Sequence, residues 1–131
     1  MIYLDSSALL KLVFEEQESD SLQHWLTARS GVPTVSSELA KVEVLRACRR
    51  IDASALPDAR TLLGGLDLVP LVGLVVQLAS DLDDPVLRSL DALHLASALS
   101  LGADLATFVA YDHRLLEAAA GAGLEARAPG V

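Results

Sequence analysis

The sequence predicts an α/β domain built on a mostly parallel central sheet flanked by helices. Two observations carry that expectation. Short apolar runs at Ile2–Leu4 and at 106–111 each end in an aspartate, Asp5 and Asp112, and a helix-forming segment follows each. Between them, strand-like and helix-like segments alternate, the pattern of parallel strands joined by helical crossovers. A chain of 131 residues is long enough to bury a core as a single domain spanning 1–131.

Composition narrows the function classes. Hydrophobic residues make up 52% of the chain and the mean hydropathy is +0.41, which argues against disorder. Aromatic residues are only 4%, so Leu, Val and Ala must build the core. The nearly apolar run from Leu68 to Val76 contains Pro70 and Gly73 and is too short to span a bilayer, so no membrane role is expected. No basic segment precedes the first apolar residues, which points away from a signal peptide and toward the cytoplasm. Cys48 is the single cysteine, so an internal disulfide is excluded. A formal net charge of −8 argues against nucleic-acid binding by a general basic surface, while leaving room for a local basic patch or a bound cation.

Taken in order, Ile2, Tyr3 and Leu4 read as a strand buried on both faces. Ser6 or Ser7 is the expected cap of the helix that follows, and Asp5 alone reads most simply as a cap beside them. Leu22, Trp25 and Leu26 recur at helical spacing behind the acidic start at 15–20, with His24 beside that stripe. Pro33 to Ser36 reads as a second strand, and Ser36 or Ser37 opens a helix to about Ile51.

Glu43 sits in the middle of that helix among Leu39, Val42, Val44, Leu45 and Ala47. A buried carboxylate there calls for a cation or metal; a half-exposed one pairs with Lys41 or Arg46. Arg46, Arg49 and Arg50 form the densest basic cluster. They serve either the helix dipole or a phosphate backbone. A further helix is expected over 53–66, a strand over 66–71 and a helix over 73–82. Asp81, Asp83 and Asp84 lack the glycine and distal glutamate of an EF-hand loop.

The segment 86–99 is a strongly apolar helix with Ser89 as the expected cap and Asp91 in its first turn. His94 is read as a hydrogen-bonded core histidine, since no second histidine or cysteine stands at zinc-ligand spacing. A strand to Tyr111, the aspartate at 112, a helix from His113 and a last short strand at 124–127 complete the chain.

Asp5, Glu43, Asp91 and Asp112 therefore stand out as acids in apolar surroundings. Carboxylates gathered without thiol or imidazole partners suit a hard cation, Mg²⁺ or Mn²⁺, and such a cation serves phosphodiester hydrolysis well. A rival chemistry, an aspartyl-phosphate at Asp5, usually wants a second aspartate two residues on, where Ser7 stands.

In the segments 2–8, 42–47, 89–96 and 108–115 the chain resembles the PIN-domain ribonucleases, specifically the VapC-type toxins of type II toxin–antitoxin pairs. The resemblance implies a PIN-like fold and a metal-dependent endoribonuclease. It makes Asp5, Glu43, Asp91 and Asp112 the catalytic, metal-binding acids, with Mg²⁺ or Mn²⁺ as cofactor and RNA as substrate. Arg46, Arg49 or Arg50 would guide the RNA backbone, and Ser7 would be an auxiliary polar group. A cognate antitoxin and a homodimer are also implied. One departure is Ala110, where members often carry Thr or Ser. The alternative is a catalytically inactive PIN-like module that only binds a protein partner.

Overall fold

Ile2, Tyr3 and Leu4 form the central strand, β1, of a five-stranded sheet in the order β3-β2-β1-β4-β5. The other strands of this computed structural model, which describes all residues Met1–Val131, are β2 (Thr34–Ser37), β3 (Asp67–Val69), β4 (Thr107–Val109) and β5 (Ala126–Arg127). Every pairing is parallel, with Tyr3 opposite Val35 on one side and Phe108 on the other. Parallel strands need crossovers, and the helices supply them. They are α1 (Ser6–Val13), α2 (Ser19–Thr27), α3 (Glu38–Ile51), α4 (Leu56–Gly64), α5 (Gly73–Asp81), α6 (Ser89–Leu99) and α7 (His113–Gly121).

The pleat of β1 divides the core. Ile2 and Leu4 face a cluster with Ala8, Leu9, Leu22, Val44 and Leu63, while Tyr3 faces one with Leu95, Phe108, Leu115 and Ala119. Both faces of the strand are thus covered, which is why its sequence shows no polar alternation. No helix is long and apolar enough to cross a membrane.

From β1 the chain builds outward through β2 and β3, then returns to the other side of β1 for β4 and β5. The direction of winding reverses beside β1, and such a reversal opens a crevice at the carboxyl ends of the strands. Asp5 follows β1 and Asp112 follows β4, so both stand at that crevice.

Three local expectations are corrected. The cap of α1 is Asp5, the cap that residue suggests when read alone, and neither Ser6 nor Ser7: its side chain accepts the Ala8 N–H, and the two serines already lie in the helix. Ser89 is the first residue of α6 and Arg88 its N-cap, with no side-chain cap bond. The helix expected over 53–66 is split into a 3₁₀ turn, Ala53–Ala55, and α4. Asp52 caps the turn through the Ser54 N–H, and Pro57, lacking an N–H, falls in the first turn of α4, where that loss is tolerated.

Candidate active site

Three helix starts and one helix middle deliver the acids. Asp5 and Asp112 hold their positions as N-caps, with Oδ1 of Asp5 accepting from Ala8 N at 2.9 Å and Oδ1 of Asp112 from Leu115 N at 3.0 Å. Asp91 lies in the first turn of α6. Glu43 projects from α3 just before the buried Val44. All four line one cleft of about 380 Å³, together with Ser6, Ser7, Leu10, Arg88 and His94. A larger hollow of about 530 Å³, between residues 82–87 and α7, contains none of them.

Each acid keeps an oxygen free of protein partners. Ser7 donates to Oδ1 of Asp5 at 2.6 Å, so both donors on Asp5 use the same oxygen. Glu43 likewise receives Ser6 at 2.7 Å and Nε2 of His94 at 2.6 Å, both on Oε1. Asp112 is bonded through Oδ1 alone, and the Asp91 carboxylate has no hydrogen-bond partner within the chain. No buried side-chain polar atom lacks a partner, so the second oxygens of these groups are not sealed in the core.

The electrostatics follow from this crowding. Burial pushes the Asp5 carboxyl up to about 6; the hydrogen bonds from Ser7 and Ala8 N–H and the nearby His94 oppose that rise, while Asp91 adds to it. Asp91 is also raised, first by burial and then by the charges of Asp112 and Glu43. Glu43 goes the other way: burial would raise it, but the hydrogen bonds from His94 and Ser6 prevail and hold it below the usual range. Carboxylates that raise one another's proton affinity also favour a cation in their midst.

The four do not by themselves close into a three-ligand cage. An all-oxygen donor set of carboxylates with free second oxygens fits a hard divalent ion that retains part of its water shell, the usual binding mode of Mg²⁺.

Several other expectations meet the geometry here. His94 is 2% exposed and fully hydrogen-bonded, as a core histidine should be. Glu43 pairs with that histidine and with Ser6 rather than with Lys41 or Arg46. Ser7 ties the two strand ends together, accepting the Tyr111 N–H at 3.0 Å while donating to Asp5. Ala110 packs with Tyr3, Leu95 and Leu115, so the polar contact beside Asp5 comes from Ser7 instead.

Arg46, Arg49 and Arg50 are exposed on α3 and do not line the cleft; Arg88 does, and it forms no ion pair. Sequence reasoning passed over Arg88, although an arginine beside Asp91 was a signal. It also passed over Ser6, whose partner is 37 residues away.

The PIN domain family profile matches residues 2–121. "Ribonuclease VapC47" of Mycobacterium tuberculosis is 44% identical over 133 residues, covering 99% of this chain and 98% of that protein. Among solved structures, Mycobacterium tuberculosis VapC20, described as a sarcin-ricin loop cleaving toxin, superposes with a TM-score of 0.77 at 17% identity, covering 98% of this chain and 100% of that one. VapBC2 from Rickettsia felis, bound to a DNA fragment from its promoter, gives a TM-score of 0.73 at 13% identity, with 98% and 99% covered. The two structures share the fold; the family match over most of the length and the close relative settle the kinship. The chain belongs to the PIN-domain family, among the VapC ribonucleases.

Proposed function

We propose that this chain, one domain over residues 1–131, is a metal-dependent endoribonuclease toxin that hydrolyses RNA phosphodiester bonds. The observation that carries the reading is the set of four carboxylates lining one cleft, each with an oxygen left free by the protein. Asp5, Asp91 and Asp112 would hold Mg²⁺ or Mn²⁺, with Glu43 contributing directly or through water. A divalent cation in that place supplies a water of lowered pKa and neutralises charge at the phosphoryl oxygen.

The rest falls to the chain's own residues. Ser7 fixes the Asp5 carboxylate, and the N-cap bonds of Asp5 and Asp112 hold both acids without occupying their second oxygens. Arg88, the one basic side chain lining the cleft besides His94, offers its guanidinium to a phosphate entering an otherwise acidic site. Arg46, Arg49 and Arg50 extend a basic stripe along α3 for flanking backbone. The same cleft suits the basic segment of a cognate antitoxin. A homodimer in the cytoplasm completes the reading, supported by kinship with the VapC toxins.

The test is cleavage of a mixed structured-RNA pool by purified protein in Mg²⁺, in Mn²⁺ and in EDTA, beside Asp91→Asn prepared identically. Metal-dependent cutting that disappears in the variant is expected. Cutting that survives EDTA or the substitution would refute the assignment. Binding of a protein partner with no cutting of any RNA would favour the inactive module.

A further inference from the structure

Behind Glu43 lies a buried polar chain that the carboxylate cleft alone does not explain. The Tyr3 ring is fixed on the central strand, stacked on Phe108 at 5.3 Å and 4° and set edge-on to His94 at 6.0 Å and 78°. Its hydroxyl lies 2.8 Å from Nδ1 of His94, and Nε2 of His94 lies 2.6 Å from Oε1 of Glu43. Ser6 donates to the same Oε1. A histidine that is 2% exposed is an expensive way to fill a core, because both ring nitrogens must find partners. A leucine would fill that volume without the requirement.

We propose that His94 is a positioning residue: held by Tyr3, it fixes the Glu43 carboxylate so that the second oxygen faces the cation site. The inference rests on the function proposed above. The Glu43 carboxylate can only accept, so Nδ1 of the neutral ring is left to accept the proton of the Tyr3 hydroxyl. The ring proton then sits on Nε2 and is donated to Glu43. This selects one tautomer, set by the partner on the far nitrogen.

With His94 and Ser6 both on Oε1, the carboxylate is held from one side and Oε2 is left unpaired. A glutamate on a half-exposed helix face otherwise has several rotamers open to it, and ordering it would weaken cation binding. Two donors on rigid elements, α1 and α6, meet that cost in the folded protein before any ion arrives. The logic is that of an outer-shell partner orienting a metal ligand.

The readout is Mn²⁺ affinity of the full chain by titration calorimetry, after chelation, with folding checked by circular dichroism. In His94→Asn the side-chain carbonyl can take over the Nδ1 position and satisfy Tyr3, but it does not reach Glu43, which keeps Ser6 as its one donor; affinity should fall about tenfold. In His94→Gln the longer amide carries an N–H to the Nε2 position, and most of the affinity should return. In a Glu43→Gln background His94→Asn should add less than about twofold, since the two act as one unit.

A folded His94→Asn protein that binds Mn²⁺ like wild type, or that loses as much in the Glu43→Gln background, overturns the proposal. Should His94→Asn fail to fold, Tyr3→Phe decides, because it keeps the ring stack and removes only the hydroxyl. A loss that vanishes in the Glu43→Gln background is then expected, and wild-type affinity overturns the idea. Asp91→Asn is the control for the underlying function. If wild type does not bind Mn²⁺, or Asp91→Asn binds equally well, the carboxylate site itself is wrong and the role of His94 falls with it.

Discussion

Asp5→Asn measures what the fold gives up to keep a charge at the end of its central strand. The Asp5 side chain is 4% exposed and its carboxyl is shifted from 3.8 to about 6, mainly by burial. Between those values the folded protein binds more protons than the unfolded chain. Unfolding free energy therefore falls as pH rises through the window, and the penalty is complete once the folded group has ionised. That rise corresponds to about 3 kcal/mol at pH 7, and about half of that at pH 5.

Asparagine keeps the carbonyl oxygen that accepts from Ala8 and Ser7 and lacks the charge. Asp91 and His94, the neighbouring side chains that act on Asp5, stay in place. In urea unfolding with EDTA, the variant should be more stable than wild type at pH 7 by up to about 3 kcal/mol, and its lead should shrink at pH 5. Adding Mn²⁺ should raise the melting temperature of wild type and leave the variant nearly unmoved, because a ligand stabilises only the state that binds it. A variant no more stable than wild type at pH 7 without metal, or a lead that does not shrink at pH 5, would refute the view that an unpaired buried charge is held here.

Ser7→Ala removes a donor from Asp5 and leaves the Tyr111 N–H without its acceptor. The expected cost is about 1–3 kcal/mol by urea unfolding, and no measurable change would mean that the link between the strand ends is dispensable. Arg88→Ala should weaken RNA binding at every sequence and reduce the salt slope of the apparent affinity by about one, as expected for a lost phosphate contact. An unchanged slope would remove Arg88 from the substrate path, and the same measurement on Arg49→Ala shows whether the outer stripe contributes.

What was legible in the sequence was local and repeated. An apolar strand, an aspartate and a helix occur at Asp5 and again at Asp112, and parallel β1 and β4 bring the two together as neighbours. Asp91 was legible for a similar reason, as an acid in the first turn of an apolar helix. Glu43 stayed ambiguous because its partner is His94, 51 residues away on a helix that no spacing rule connects to α3. The basic cluster of α3 lies outside the cleft, which its spacing could not show. Three arginines close in sequence share the outer surface of one helix, whereas the single Arg88 reaches the cleft because it stands at the N-cap of the helix carrying Asp91. At the start of α1 three cap-forming residues stand in a row, and Asp5, which alone reads most simply as a cap, takes the place expected of Ser6 or Ser7. Local preference could not choose among Asp5, Ser6 and Ser7; the strand, ending at Leu4, made the choice.

That choice bears on how the site is built. A carboxylate at an N-cap and a carboxylate in a metal site are often treated as competing explanations for the same aspartate, and here the two roles use different oxygens. Oδ1 of Asp5 and of Asp112 accepts a helix N–H and so orients the group, as the helix start requires. The other oxygen is left toward the cleft. Glu43, in mid-helix, has no free N–H to hold it, and it is the acid for which the fold supplies two side-chain donors, Ser6 and His94, on a single oxygen. Asp91 has neither device, and burial first, then the charges of Asp112 and Glu43, raise its proton affinity. Three of the four acids are thus held by one oxygen and offered by the other. Asp91 alone of the four has no hydrogen bond from the protein, and its replacement should most sharply separate a working site from an empty one.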